Sequence, residues 1–352
     1  MIFALINLAL LLFVIANALT MPKLTRVSSS SRIVAIHVPM RNEAANVNEL
    51  IEVLKSQDYK GDFHFYILDD NSTDNTYSLL EKAIAGDERF TLIRGSEPPV
   101  GWIGKTWALQ QLFEASDEEI VISLDADVRI SSDALTSAIS TIEKYELDFL
   151  SIYPRQLVTS FGVRMIQPLL QWSWLSTLLL RATMRSTNAA FAVANGQFFI
   201  VRRSALSGYQ GVADQVLDDM QLARVLLSNG HKGSVVNGGA IAQCRMYSSF
   251  TELRAGYAKS LWKAFGSVLG SIVAIAFIFL TGIAPILLIL TGSPWGWIAF
   301  ELIVLSRVIS ASISNGKIVD SLLHPISSIL LIYLIFYSWS VRKSVQWKGR
   351  TL

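Results

Sequence analysis

Two carboxylates stand one residue apart where an apolar stretch of the sequence ends. Asp125 and Asp127 flank Ala126 in VISLDADVRI, residues 121–130. Two acids this close do not both remain ionised without a counter-charge. Mg²⁺ supplies one, and it characteristically binds one or two carboxylates together with the phosphates of a substrate. The spacing therefore suggests a metal–diphosphate site, with a solvated turn at the end of a strand as the alternative.

Two common nucleotide-binding motifs are missing from the sequence. The first apolar stretch continues into HVPMRNEA, residues 37–44, which has no glycine for the phosphate turn of a dinucleotide fold. The run GWIGKT, residues 101–106, resembles a P-loop, but a Walker A motif requires glycine where Pro99 stands. An ATPase and a dinucleotide-binding fold are therefore both disfavoured.

The segments around these acids alternate between strand-like and helix-like patterns. This alternation predicts an α/β fold with a mostly parallel sheet and right-handed crossovers. Ligands of such sheets bind outside the carboxyl ends of the strands. Asp70 ends the second strand, and Asp125 and Asp127 end the fourth, so we expect these acids to line one crevice. The predicted strands and helices, in chain order, lie at 32–38, 46–57, 63–70, 74–85, 90–95, 104–116, 119–127 and 132–145.

Charge is distributed unevenly along the 352 residues. Only 16% of them are charged, against about 25% in average soluble domains. Residues 1–22 and 264–300 carry no charge, and 321–341 contain only His324. Runs of this length suit helical membrane crossings, which need about 20 apolar residues each. Residues 23–263 have the pattern of a soluble α/β domain with one large core.

The N-terminal run is predicted to be an uncleaved membrane anchor at residues 1–22. Lys23, Arg26 and Arg32 follow it closely, and basic residues there favour the cytoplasmic side for this flank. A signal peptide is the alternative, because Ala16-Asn17-Ala18 resembles a cleavage site.

The C-terminal part contains a conflict of topology. Residues 267–341 are expected to provide two or three crossings, followed by a basic tail at 342–352. With the domain at 23–263 inside, four crossings in all would place both termini outside, whereas the basic tail favours the cytoplasm. Glu301 and Arg307 are costly inside a bilayer, so either they pair internally or one segment is re-entrant.

Two further segments, the net charge and the cysteine count also carry information. Segments 161–185 and 249–265 are predicted to be helices at the membrane surface, with a buried helix as the alternative for the first. The net charge of +2 argues against nucleic acid as a partner. The single cysteine, Cys244, excludes an internal disulfide framework and a zinc cluster.

Four motifs occur in order along the predicted domain: PMRNEAANV, LDDNSTDNT, DAD and VLDDMQLARVLLSNG. Together they resemble the family 2 glycosyltransferases, inverting enzymes of the GT-A fold. GWIGKTWA, ANGQFFIVRR and WKGR are similar to a membrane-bound branch with carotenoid (diaponeurosporenoate-type) and hopanoid-associated glycosyltransferases. The resemblance implies an α/β GT-A nucleotide-diphospho-sugar transferase domain at 32–248, with N-terminal and C-terminal transmembrane helices.

The resemblance implies a donor-side role for each matching residue. Pro39 and Glu43 would border the nucleotide, and Asp70 would hydrogen-bond the base. Asp125 would contact the ribose or the metal, and Asp127 would hold Mg²⁺ or Mn²⁺ on the diphosphate. The donor would be a UDP- or GDP-linked sugar.

The resemblance also implies a base and an acceptor side. Asp219 would be the catalytic base, at the start of a predicted helix. Lys105 would meet the donor phosphates, with a solvated residue at a helix start as the alternative. Four residues would lie on the acceptor side: Gly196, Gln197, Asp218 and Trp262.

The reaction implied is transfer of one sugar to a lipid in the cell membrane, with the catalytic domain on the cytoplasmic side. Processive members carry Q/R-x-x-R-W, but Ala258 and Leu261 stand at its first and fourth positions, so a polymer synthase is disfavoured. A nucleotidyltransferase and a non-catalytic scaffold on the same fold are the alternatives. The first would normally bring a glycine-rich basic loop, where this chain offers only Arg41.

Overall fold

The computed structural model describes residues 1–26, 31–342, 346–347 and 350–351. The chain divides into two compact units. The apolar unit contains Met1–Met21, Gln156–Leu180 and Arg245–Leu352, and the sheet unit contains Pro22–Arg155 and Arg181–Cys244. Residues 156–180 and 245–248 of the predicted domain at 32–248 belong to the apolar unit.

The bounds of the regular elements follow in chain order. The β-strands are β1 Val34–Met40, β2 Phe63–Asp69, β3 Phe90–Arg94, β4 Ile120–Leu124, β5 Val128–Ile130, β6 Phe149–Tyr153, β7 Arg155–Gln156, β8 Phe198–Arg202, β9 Gly233–Asn237, β10 Ala242–Cys244, β11 Gln346–Trp347 and β12 Arg350–Thr351. The α-helices are α1 Ile2–Thr20, α2 Val47–Lys55, α3 Thr76–Ile84, α4 Gly104–Glu114, α5 Ala134–Lys144, α6 Phe161–Thr177, α7 Leu180–Thr183, α8 Asp218–Ser228, α9 Phe250–Ala264, α10 Val268–Ile278, α11 Ala284–Leu290, α12 Pro294–Ile313 and α13 His324–Val341.

A seven-stranded sheet in the order β3-β2-β1-β4-β8-β6-β9 forms the centre of the sheet unit. Strands β1 to β4 run parallel, as the alternating pattern predicts. Strand β8 is antiparallel to both of its neighbours, β4 and β6. It therefore begins at the edge of the sheet where β4 and β6 end. The expected mixed α/β fold, mostly parallel with helices around the sheet, is confirmed.

The central strands are apolar because helices cover the sheet. Val34, Ile36 and Val38 of β1 are fully buried, which explains their continuous apolar pattern. Helix α2 packs against this core through positions at helical spacing. These buried positions are Val47, Leu50, Ile51 and Leu54.

The apolar unit contains four helical segments that are long and apolar enough to cross a membrane. They are Ile2–Thr20, Val268–Leu290, Pro294–Ile313 and Ile318–Val341. A π-helical turn, Phe279–Ile283, lies inside the second of them. The run at 1–22 contains the first of these segments, the run at 264–300 contains the second and reaches into the third, and the run at 321–341 lies in the fourth.

The predicted helix at 161–185 is divided into α6 and α7. Asn17 of α1 lies at the break, where its Nδ2 donates to the carbonyls of Leu175 (2.8 Å) and Leu178 (2.6 Å). Its Oδ1 accepts the Leu180 N–H at 3.2 Å. Backbone groups freed at the break therefore find partners in one asparagine side chain.

The two charged residues of α12 face different surroundings. Glu301 is exposed, whereas Arg307 is buried within the apolar unit. No ion pair joins Glu301 to Arg307 in the described structure, so internal pairing of these two residues, one of the two alternatives, is not found. The predicted basic tail at 342–352 lies mostly outside the described residues, including Lys343 and Lys348.

Candidate active site

The Asp-Ala-Asp turn lies where β4 ends and beside the start of β8. The Asp125 N–H donates to the Gln197 carbonyl (3.0 Å), and the Val128 N–H donates to the Asp125 carbonyl (3.1 Å). These bonds fix the turn while leaving Asp125 and Asp127 half-buried. The structure therefore places both acids at the carboxyl end of a central strand, as the sequence predicts.

Lys105, the second residue of α4, brings a cation to this turn. Its Nζ lies 2.9 Å from Asp125 Oδ1 and 4.0 Å from Asp218 Oδ2. Burial lowers the pKa of Lys105, but Asp125 and Asp218 outweigh burial and raise it above its usual range. Lys105 therefore stays charged and connects the turn to the start of α8, which a solvated surface lysine would not do.

Asp219 lies in the first turn of α8 with both carboxylate oxygens hydrogen-bonded to backbone. Its Oδ2 accepts the Gly196 N–H (2.7 Å) and its Oδ1 accepts the Met220 N–H (2.8 Å). Burial and the neighbouring Asp218 raise the pKa of Asp219 to about 6. Such a group is mostly ionised at neutral pH yet accepts a proton readily, as a general base must. Gly196 permits this approach, since a Cβ there would stand 3.2 Å from the Asp219 Cβ.

Buried polar groups support Asp127 from behind the turn. Gln197 Nε2 donates to Cys244 Sγ (2.8 Å), and Cys244 is hydrogen-bonded to Asp127. Burial and Asp127 raise the pKa of the Cys244 thiol, so the thiol stays protonated and donates a hydrogen bond to Asp127. Burial and Asp125 raise the pKa of Asp127 to about 6. Because Gln197 is only 2% exposed, we expect it to position Asp127 rather than touch an acceptor.

The sequence of this region matches a known family. Residues 35–209 fit the family model described as Glycosyl transferase family 2. The chain carries a family 2 glycosyltransferase domain. The site residues on β1 to β4, on α4 and before β8 lie inside the matched range, and Asp218 and Asp219 follow it.

Curated relatives match parts of the chain. A beta-monoglucosyldiacylglycerol synthase of Nostoc sp. is 28% identical over 127 residues, which are 36% of this chain and 27% of the relative. An N-acetylglucosaminyltransferase of Bradyrhizobium diazoefficiens is 29% identical over 108 residues, which are 30% of this chain and 21% of the relative. The chain thus spans about a quarter of the length of these relatives.

A solved structure shares the fold over nearly the whole chain. It is a mannosyltransferase from Pyrobaculum calidifontis in complex with GDP-Man and Mn²⁺. Its TM-score is 0.56 at 17% sequence identity, and the match covers 97% of this chain and 98% of that one. At this identity the likeness concerns the fold, which is the GT-A type expected from the motifs.

The residues predicted to lie on the donor side are found at two neighbouring strand ends. Pro39 is on β1, and Asp70 follows β2, where its N–H donates to the Met40 carbonyl (2.7 Å). Arg41 Nη1 donates to the carbonyls of Asp70 (2.5 Å) and Asn71 (3.0 Å). Arg41 thereby joins the loop after β1 to the loop after β2.

Glu43 is connected to the Asp-Ala-Asp turn through Arg129, a residue that no sequence motif indicated. Arg129 Nη1 donates to the Ala126 carbonyl (2.9 Å), and its Nη2 donates to Asn46 Oδ1 (2.7 Å). Asn46 Nδ2 donates in turn to Glu43 Oε2 (2.6 Å). Arg129 is 9% exposed and holds the loop after β1 against the Asp-Ala-Asp turn.

We expect Arg129→Met to lower the free energy of unfolding by at least about 2 kcal/mol, because the buried Ala126 and Val128 carbonyls lose their charged donor. Urea unfolding of the detergent-solubilised protein would measure the change. Arg32→Met is the matched control, since Arg32 pairs with Glu119 and Glu143 at the surface, where ion pairs contribute little. Equal losses in the two variants would contradict the positioning role of Arg129.

The residues of the turn fit a divalent cation that is bound together with a substrate. In the part of the chain that the structure describes, no three His, Cys, Asp or Glu side chains are grouped to hold a metal. Asp125 and Asp127 offer carboxylate oxygens, and Mg²⁺ commonly takes its remaining ligands from substrate phosphates and water. The raised pKa of Asp127 reflects burial and the adjacent negative charge of Asp125, which a cation would neutralise.

One predicted acceptor-side residue lies in the apolar unit. Trp262 is on α9, where its N–H donates to Ser338 Oγ (3.0 Å) and its ring lies 6.2 Å from that of Trp339. These contacts account for Trp262 within the packing of α9 on α13. Its role toward an acceptor stays a prediction.

Proposed function

We propose that the chain is a membrane-bound, inverting glycosyltransferase that moves one sugar from a nucleotide-diphosphate donor to a lipid acceptor. The observation that carries this proposal is the meeting of three groups at one edge of a GT-A sheet. They are the Asp-Ala-Asp turn, the cation of Lys105 and the buried carboxylate of Asp219.

The donor end of the site follows from charge. Asp127, with Asp125, would hold Mg²⁺ or Mn²⁺, which when bound neutralises the departing diphosphate. The complex of GDP-Man and Mn²⁺ in the mannosyltransferase of the same fold supports this assignment. Lys105 adds a fixed positive charge 2.9 Å from Asp125 and is suited to the donor phosphates. Pro39, Glu43 and Asp70 border the nucleotide, with Asp70 toward the base.

The acceptor end follows from the position of Asp219. An acceptor hydroxyl attacks the anomeric carbon from the face opposite the diphosphate and gives its proton to Asp219. The new carbon–oxygen bond forms as the bond to the diphosphate oxygen breaks, so the configuration inverts. The backbone N–H groups of Gly196 and Met220 hold the carboxylate in place for that transfer.

A lipid acceptor is supported by the four apolar helices and by the relatives. A glycosyltransferase with helices of membrane-crossing length meets its acceptor most readily in the bilayer. One relative is named for a glycolipid, monoglucosyldiacylglycerol. Acceptors of this proposal are diacylglycerol-type lipids, carotenoids, hopanoids or other isoprenoids, with the catalytic domain on the cytoplasmic side of the cell membrane.

The decisive experiment follows the products of the full-length protein. Purified protein in vesicles of mixed lipid extract would be supplied with UDP- and GDP-sugars and Mg²⁺ or Mn²⁺. We expect release of nucleoside diphosphate together with a lipid heavier by one sugar in the mass spectrum. Release of pyrophosphate would identify a nucleotidyltransferase, and release of neither would identify a scaffold.

A further inference from the structure

A cluster of buried polar side chains lies inside the apolar unit, beside the loop from α12 to α13. Arg307 of α12 is 3% exposed, and His324 at the start of α13 is 1% exposed. Asp320, in the connecting loop, is equally buried. Ionisable groups in segments of membrane-crossing length are costly and mark functional sites by default.

Asp320 forms its ion pair with Arg164 and not with Arg307. Arg164 of α6 donates from Nε to Asp320 Oδ2 (3.1 Å) and forms a second contact through Nη2 with Oδ1. Within the described part of the chain, no carboxylate forms an ion pair with Arg307. The cluster therefore holds two guanidinium charges against one carboxylate, which leaves one positive charge uncompensated.

Several atoms of the cluster lack hydrogen-bond partners. Among the described residues, fully buried atoms without a partner include Arg307 Nη1, both ring nitrogens of His324, and the hydroxyls of Ser321 and Ser327. Unpaired groups of this kind are rare in native proteins, and a concentration of them calls for a ligand or water. Most of these atoms can donate a hydrogen bond, and one of them belongs to the positively charged guanidinium of Arg307.

The Trp172 ring lies near both Arg307 and His324. Arg307 Cζ lies 5.8 Å from the Trp172 ring, and the His324 ring lies 5.1 Å from it at a steep angle. Gly282, in the π-helical turn, packs closely against α13, since a Cβ there would stand 2.0 Å from Ser328 Oγ and 3.3 Å from His324 Nε2. Turns of π-helix inside α-helices occur frequently at functional sites.

We propose that this cluster binds the phosphate of an anionic membrane lipid. A phosphodiester carries one negative charge and several acceptor oxygens, which match the free charge of Arg307 and the unpaired donors around it. Arg307 precedes the end of α12 at Ile313 by six residues, or about 9 Å along the helix. That depth suits a lipid headgroup, and basic pockets between transmembrane helices bind such headgroups. The proposal does not depend on the glycosyltransferase activity.

The test uses the full chain in a neutral detergent and measures its melting temperature. The probes are phosphatidylglycerol, phosphatidylcholine with the same acyl chains, and inorganic phosphate. The variants are Arg307→Gln and His324→Asn, and native mass spectrometry counts the lipids bound to each. Lys317→Gln is the matched control, because it removes an exposed positive charge from the same loop.

Phosphatidylglycerol should raise the melting temperature of the wild type and of Lys317→Gln by several degrees, and phosphatidylcholine should not. The rise and the bound lipid should disappear in Arg307→Gln and diminish in His324→Asn. A response to inorganic phosphate that is lost in Arg307→Gln would support the anion site but assign it to a free anion. If Arg307→Gln does not fold, an undiminished response in His324→Asn overturns the proposal. An undiminished response in a folded Arg307→Gln overturns it directly, and hydration then satisfies the unpaired atoms.

Discussion

Asp127→Asn should lower turnover by about 10²-fold or more while leaving the protein folded. The substitution keeps the size of the side chain but removes the negative charge that would hold a cation on the departing diphosphate. Groups that stabilise charge developing in a transition state commonly contribute 10²–10³-fold each, by order of magnitude. Folding should tolerate the change, because burial already disfavours the charge of Asp127 and the asparagine carbonyl can still accept from Cys244.

Steady-state rates at several Mg²⁺ and Mn²⁺ concentrations would measure this effect. Asp62→Asn is the matched control, because Asp62 is exposed in the loop before β2 and should retain full activity. Melting temperatures of both variants would show that any loss of turnover is not a loss of folded protein. Wild-type activity that persists after chelation of divalent cations would contradict the metal-binding role of Asp127.

Asp219→Asn should lose about 10²–10⁴-fold in turnover and still bind the donor, because that is the usual contribution of a general base. Asparagine can still accept the Gly196 N–H through its carbonyl oxygen, so the local structure should persist. What disappears is the capacity to take the acceptor's proton. The effect should therefore fall on kcat, with little change in the dissociation constant of the donor.

Asp218→Asn is the natural comparison for this prediction. The two acids are adjacent in α8. Acids in a first helical turn ordinarily stabilise the helix by about 0.3–1 kcal/mol through their interaction with the helix dipole. Asp218 lies 4.0 Å from Lys105, and its loss should cost much less turnover than the loss of Asp219. Calorimetric titration of the donor separates binding from chemistry. The reverse ranking, or abolished donor binding in Asp219→Asn, would show that the base is assigned to the wrong residue.

Residues with local signals were predictable from the sequence. Asp125 and Asp127 follow a buried apolar strand, so their place at its carboxyl end follows from strand and turn patterns alone. Asp219 opens a helix whose apolar residues have the expected spacing, although Val225, which continues that spacing, is 37% exposed. Burial of a helix face depends on what packs against it, which spacing does not specify.

Residues that act through distant partners were not predictable. Arg129 reaches Asn46 across 83 positions of sequence, and Cys244 reaches Gln197 across 47. No local motif marks such pairs, because only the folded sheet brings them together. The direction of β8 could not be predicted either, because a fully buried apolar strand has the same pattern whether it runs parallel or antiparallel to its neighbours.

The direction of β8 has a consequence for how acceptor choice could diversify. Strand β6 ends, and β8 begins, at the same edge of the sheet, so the chain leaves and re-enters beside Asp125. Part of the excursion between them, residues 181–194, contains no strand and precedes Gly196 and Gln197, so it can change in sequence without shifting the register of any strand. Ala189–Phe191 of this stretch contact α8, so its exchange between relatives would change the surroundings of that helix while the Asp-Ala-Asp turn stays intact. Evolution, or an engineer, could thus alter what is glycosylated without rebuilding the part that handles the sugar nucleotide.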